Sequence, residues 1–215
     1  MLFRSNPIIF SEREAISGGN FHGQPLAMAS DYLTVAAHEI GNISDRRIYL
    51  LLEGGNQGLP KLLMKDIGLN SGFMIPQYTS AALVSENKSL CYPASADSIP
   101  TSLGQEDHVS MGSISARKLN EVLTNLEQIL AIELVTAAQA FDFRRPMKSG
   151  PILEACHEHI RSKIDHADKD RIFAKDSSKA HRIIKNDNLN MIAKEVADSE
   201  NIDLNGEYYG LFTLS

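Results

Sequence analysis

Apolar residues recur at alternating spacings of three and four from Gln24 onward, at Leu26, Ala29, Leu33, Ala36, Ile40 and Ile43. That spacing keeps one apolar stripe on one helix face and predicts a long packed helix running to Leu52. Pro25 falls in its first turn, where a missing N–H costs nothing. The run Glu53-Gly54-Gly55-Asn56-Gln57-Gly58 then breaks the pattern. Met64–Met74 has no clear period, and Pro76 opens a second helix through Asn87 that ends before Pro93. After Gly112 and Ser113, a broad stripe follows at Ile114, Leu119, Val122, Leu126, Ile129, Leu130, Leu134 and Ala137, up to about Phe141. At ~1.5 Å per residue this third helix is over about 40 Å long, a length typical of bundles and of helices that pack on another subunit. Pro146 and Gly150 end it.

Beyond Pro151 the pattern gives shorter amphipathic helices at Pro151–Ile164 and Ile183–Val196, with a polar stretch His166–Ser178 between them. The tail Leu204–Ser215 is aromatic (Tyr208, Tyr209, Phe212) and reads as an extended docking segment. At the other end, Ser5-Asn6-Pro7 is a turn, and Ile8-Ile9-Phe10 is an extended segment that needs a partner. The fold class expected is all-α, a long-helix bundle over residues 1–145 with a shorter-helix region over 146–215.

Composition narrows the function classes. The chain has 215 residues, enough to bury a sizeable core, and a formal charge of −6 from 21 Lys and Arg against 27 Asp and Glu. Such an acidic balance carries no nucleic-acid footprint. No apolar run reaches the roughly 18 residues of a membrane helix. Two cysteines, Cys91 and Cys156, make no disulfide framework, so the expected location is cytoplasmic.

Four places carry candidate chemistry. In Gly18-Gly19-Asn20-Phe21-His22-Gly23 the glycines allow close backbone approach, and Phe21 can stack on a planar ring; the alternative is an entry turn with Phe21 stapling the helix. Glu53–Gly58 lacks the Gly-Lys-Ser/Thr of a phosphate loop. In Cys156-His157-Glu158-His159 only Cys156 and His159 share a helix face, and no second ligand pair has zinc-like spacing, so no metal is expected. His166 and His181 have no visible partners and read as surface residues. Gln105-Glu106-Asp107-His108 places four polar groups on a loop: a carboxylate for an imidazolium or ammonium ligand, or an acidic cluster offsetting the dipole of the helix that follows.

Taken together, SGGNFHGQPLA (Ser17–Ala27), LNSGFMIPQYTSAALVSENK (Leu69–Lys88) and PASADSIPTSLGQEDHVSMG (Pro93–Gly112) resemble the C-terminal part of the histidine ammonia-lyases, within the aromatic amino acid ammonia-lyases. The resemblance covers about Asn6 to Ala140 and is loose in the last third. It implies an all-α, fumarase/aspartase-like bundle, a homotetramer with shared active sites, and elimination of ammonia from L-histidine to give trans-urocanate. It also implies a methylidene-imidazolone electrophile made from an internal Ala-Ser-Gly. By position Phe21 lines the site beside the electrophile, Glu106 faces the substrate imidazole or amino group, and Gln105 stands next to it. Related lyases tend to carry glutamine at the position of Glu106, which therefore favours histidine.

The chain departs from that pattern. Its three Ser-Gly pairs follow Ile16, Asn70 and Lys148, so no Ala-Ser-Gly is present. The N-terminal tyrosine and histidine of the family and its Tyr-Ser-x-x-Arg segment are also missing. The expectation is a portion of a larger enzyme, with no cofactor formed in this chain and no activity by itself. It would be a homo-oligomer through Ile114–Phe141, with neither nucleic acid nor membrane as partner. Two alternatives stand: a non-catalytic helical oligomerisation module, and an ammonia-lyase or aminomutase acting on tyrosine or another aromatic amino acid.

Overall fold

A computed structural model describes residues 8–16, 18, 22–54, 58–186 and 188–204. Among the described residues, a hairpin of β1 (Ile8–Ser11) and β2 (Glu14–Ile16) is followed by six α-helices: α1 Gln24–Leu52, α2 Met74–Leu90, α3 Gly112–Asp142, α4 Pro151–Arg161, α5 Phe173–Lys185 and α6 Asn188–Glu200. The expected extended segment finds its partner locally, Ile8 facing Ile16 and Ile9 facing Ala15. Apart from this hairpin the architecture is all-α, as expected.

The chain forms two compact units, 1–40 with 85–125, and 41–84 with 126–215. Each of α1, α2 and α3 contributes one end to each unit. The boundary expected at residue 145 falls inside the second unit.

α1 matches its expected bounds, but its apolar seam does not face the chain's own core. Leu26, Leu33, Ile40 and Ile43 are 73%, 53%, 52% and 48% exposed. The buried positions are Ala27, Asp31, Thr34 and Ala37 in the first unit, then Gly41, Ser44, Asp45, Ile48 and Leu52 in the second. Periodicity locates an apolar face, but small residues permit the closest helix approach and polar ones carry hydrogen bonds, so the two faces diverge here. α2 starts two residues before Pro76, because a proline in the first turn forfeits no helical bond, and it runs three residues past Asn87.

In the second unit the core is continuous. Ile48 and Leu52 of α1 meet Ile132 and Val135 of α3, with Phe73, Ile160, Phe173 and Ile183 completing the cluster. Phe73 and Phe173 pack at 4.8 Å between ring centres. In the α3 stripe Val122, Leu126 and Ile129 are buried within the chain, Leu130 and Leu134 are half-buried, and Ala137 is exposed. The helix expected over Ile183–Val196 is two helices, because Asn186 closes α5, its N–H bonding the Arg182 carbonyl. Half of the polar stretch 166–178 becomes the start of α5, anchored by buried Phe173. The aromatic tail's Tyr208, Tyr209 and Phe212 lie outside the described residues.

Gln139, 1% exposed on α3, holds the irregular chain beside it. Its amide donates to the Leu63 and Ala167 carbonyls at 3.2 and 2.9 Å and accepts the Ala167 N–H at 3.1 Å. Gln139→Leu preserves much of the volume and leaves three buried backbone groups unpaired. It is expected to lower stability by about 2–4 kcal/mol in urea unfolding; a loss under about 0.5 kcal/mol would show that those groups find other partners.

Candidate functional site

The first unit brings the Pro93–Ser110 loop onto the start of α1. Near the loop's beginning, buried Asp31 on α1 accepts the Ser95 N–H at 2.7 Å, and the Gln24 side-chain amide donates to the Ser95 carbonyl at 2.8 Å. Within the loop, Val109 N–H donates to Ser98 Oγ at 3.0 Å. Near its end, His22 Nε2 lies 2.7 Å from the His108 carbonyl oxygen. Burial alone would push the Asp31 carboxyl up; the Ser95 N–H and hydroxyl, the Ala94 N–H and the Lys118 ammonium 3.9 Å away outweigh it and hold the group below its ordinary range. A charged residue between Ala27 and Thr34 on the small-residue face of α1 is the sequence signal for this contact.

The helix starts converge at the same place. A Cβ on Gly112 would lie 3.5 Å from the Gly23 carbonyl oxygen and 3.8 Å from Ala27 Cβ, and one on Gly23 would meet Ser110 Oγ at 2.7 Å. The positive ends of α1 and α3 therefore sit side by side, an arrangement that favours a negatively charged group.

Gln105 and Glu106 stand together on this loop, both exposed. Their backbone is fixed: Gln105 N–H donates to the Ser102 carbonyl at 3.1 Å, and Thr101 and Glu106 exchange backbone hydrogen bonds at 3.0 and 3.3 Å. The tip is strained, with Ser102 and Leu103 at φ 54° and 59°, a region that costs a non-glycine residue on the order of 1–3 kcal/mol. Leu103 on that tip is fully exposed. Phe21 lies outside the described residues, while its neighbour His22 joins the Glu106 loop.

A second polar cluster, in the other unit, corrects the reading of several histidines. Asp142, at the end of α3, accepts from His157 Nε2 at 2.7 Å and from His166 Nδ1 at 2.6 Å, and forms an ion pair with the Arg161 guanidinium at 2.7 Å. His166 also meets Phe143 edge-on at 5.4 Å, and His181 pairs with Glu127 at 2.9 Å, so neither is a free surface residue. Their partners are 24 and 54 positions away in sequence, beyond the reach of local pattern. Cys156 lies 3.9 Å from the Leu189 carbonyl, and burial pushes its thiol up, away from the thiolate a metal requires. Burial opposes the ionised Asp142, but His166, Arg161 and His157 hold its carboxyl below the ordinary range. Arg145 and the Ser149 N–H, both just before α4, hold Glu154 in its first turn down to about 2.

The sequence profile of the family described as aromatic amino acid lyase matches residues 3–162. The histidine ammonia-lyase of Natranaerobius thermophilus is 53% identical over 181 residues, covering 83% of this chain and 36% of the relative. That of Photobacterium profundum is 50% identical over 188 residues, 87% of this chain and 37% of the relative. Among solved structures, histidine ammonia-lyase from Trypanosoma cruzi superposes with a TM-score of 0.84 at 45% identity, covering 88% of this chain and 38% of that one. Tyrosine aminomutase from Streptomyces globisporus gives 0.83 at 37% identity, over 88% and 36%. The chain thus spans between 36% and 38% of the length of these four proteins.

The Asp142 cluster generates a signed prediction. A carboxyl held low contributes stability that is full at neutral pH and is lost as the pH falls through and below the ordinary aspartate range. Asp142→Asn is expected to cost about 2–4 kcal/mol at neutral pH, because Arg161 loses its partner charge. It should also flatten the acid limb of a stability-against-pH curve; an acid limb equal to the native one would place that dependence elsewhere.

Proposed function

Because this chain belongs to the aromatic amino acid lyases, we propose that it supplies the substrate-facing loop of a histidine ammonia-lyase, an enzyme converting L-histidine to trans-urocanate and ammonia. The observation that carries the reading is the Glu106 loop, laced to the first turns of α1 with Gln105 and Glu106 open to a ligand. An exposed carboxylate on a fixed backbone pairs with an imidazolium or ammonium by a charge-assisted hydrogen bond. The paired starts of α1 and α3 favour the substrate's carboxylate. Orienting a substrate in this way supplies several kcal/mol of barrier reduction without any bond being made by these residues.

The family's electrophile does not fit the residues present. No Ala-Ser-Gly exists to form it, and at Ser71-Gly72 both backbone N–H groups are committed to the Asp170 carboxylate at 2.8 Å. The electrophile and the base that removes the β-proton belong to parts of the enzyme outside this sequence, so the chain by itself is inactive. Its partners are L-histidine and, through the exposed apolar face of α1 (Tyr32, Leu33, Ile40) and the exposed Ile114 and Leu123 of α3, further copies of the subunit in the cytoplasm. Among the described residues no helix is long and apolar enough to cross a membrane.

The likeness to tyrosine aminomutase supports a second reading, the same scaffold acting on tyrosine. Glu106 facing the substrate's side chain opposes it, since a phenol, unlike an imidazolium, offers no cation to a carboxylate.

The test is co-expression with the part of the Natranaerobius relative that lies outside the aligned region. Urocanate, followed by its ultraviolet absorbance, is expected from the pair and not from the purified chain; urocanate from the chain alone overturns the inactivity. In the pair, Glu106→Ala should lower kcat/KM for histidine on the order of a hundred-fold with assembly intact. Unchanged kinetics remove Glu106 from the site, and a gain on tyrosine favours the second reading. Leu33→Glu should shift sedimentation of the pair toward smaller species; an unaltered profile removes this face of α1 from the assembly.

A further inference from the structure

We infer that His22 is a positioning residue that ties the Glu106 loop to the start of α1, one imidazole tautomer serving both attachments. The inference rests on Glu106 being the substrate-facing residue, and it adds what holds that residue's loop in place.

The argument begins at the start of α1. The Gly23 carbonyl accepts the Ala27 N–H at 3.0 Å and so opens the helical ladder, which leaves the earlier N–H groups without a helical partner. Pro25 has none to satisfy, and the Gln24 N–H donates to His22 Nδ1 at 3.1 Å. An atom that accepts this bond carries a lone pair. The opposite nitrogen, Nε2, lies 2.7 Å from the His108 carbonyl oxygen, which only accepts, so Nε2 carries the proton. The neutral Nε2–H form satisfies both contacts at once, with no second rotamer or charge state required. His108 Nδ1 sits 3.3 Å from the same Nε2 and shares its proton as a longer acceptor, the two rings tilted 50° at 5.1 Å between centres.

The consequence is positional. Asp31 and Gln24 fasten the loop at Ser95, and the Thr101–Glu106 backbone pair closes its tip. Among the described residues, without His22 the stretch that follows the tip, from Asp107 to Val109, would keep the bond between Val109 and Ser98 within the loop itself and no bond to α1. His22 thus joins two stretches 86 positions apart, the one carrying Glu106 and the one that follows Phe21. It touches no substrate in this role; it acts through the placement of Glu106.

Two substitutions separate the attachments, because an asparagine amide overlies Nδ1 of histidine and a glutamine amide overlies Nε2. In amide hydrogen exchange on the whole chain, His22→Asn keeps the cap on Gln24 and releases the loop. Exchange at Thr101, Glu106 and Val109 should rise about five-fold while Gln24 stays at its native rate. His22→Gln should give the reverse, native loop rates with faster exchange at Gln24. Even if His22→Ala fails to fold, the comparison of these two variants decides. Loop rates in His22→Asn equal to native, or the same profile in both variants, overturn the inference. If the exchange pattern holds while Glu106→Ala leaves the kinetics of the reconstituted enzyme untouched, the tether stands and the substrate-facing assignment of Glu106 falls.

Discussion

Peptide groups that leave a helical ladder must find partners elsewhere or pay for their desolvation, and in this chain side chains on or beside the long helices provide those partners. Asp31 and Gln24 do this for Ser95, Gln139 for Leu63 and Ala167, and Asp170 for Ser71 and Gly72. The first two are short contacts between a regular element and a connection, and the Asp170 contact ties one connection to another. A rigid helix can hold an irregular loop in one geometry only through contacts of this kind. The placement of the Glu106 loop depends on them more than on apolar packing, since residues 101–108 are all exposed.

The same economy explains the two faces of α1. From Ala27 to Asp45 its inward face is built from alanine, threonine, serine, glycine and two aspartates, which admit close neighbours and offer hydrogen bonds, and only at its end do Ile48 and Leu52 turn inward. Its larger apolar residues over that span, Leu26, Leu33, Ile40 and Ile43 among them, therefore point outward. A face that leaves Leu26, Tyr32, Leu33 and Ile40 in water is expensive in isolation, and large exposed apolar patches usually mark a surface that another chain covers. That cost agrees with a chain spanning little more than a third of its relatives' length.

Much of the fold was legible from pattern. Periods of three and four located α1 and α3 within a residue or so, because a long helix repeats its signal many times. Short helices repeat it only two or three times, so one apparent helix over Ile183–Val196 proved to be the end of α5 and most of α6. The Glu106 loop was legible as a cluster of polar residues and as a family resemblance. Its anchors were not: Asp31, His22 and Gln24 read as ordinary residues at a helix start until the loop is folded against them.

The sequence by itself determined the helix count along the long elements, the family, the polar loop and the absence of the electrophile's tripeptide, because these depend on residue identity and local period. Tertiary structure alone decided which face of α1 is inside, that His166 and Asp142 are partners, that His181 and Glu127 are partners, and that His22 reaches His108. Those contacts join residues 24 to 86 positions apart. A hydrogen bond is set by distance and direction in space, and no local pattern carries either across such a separation.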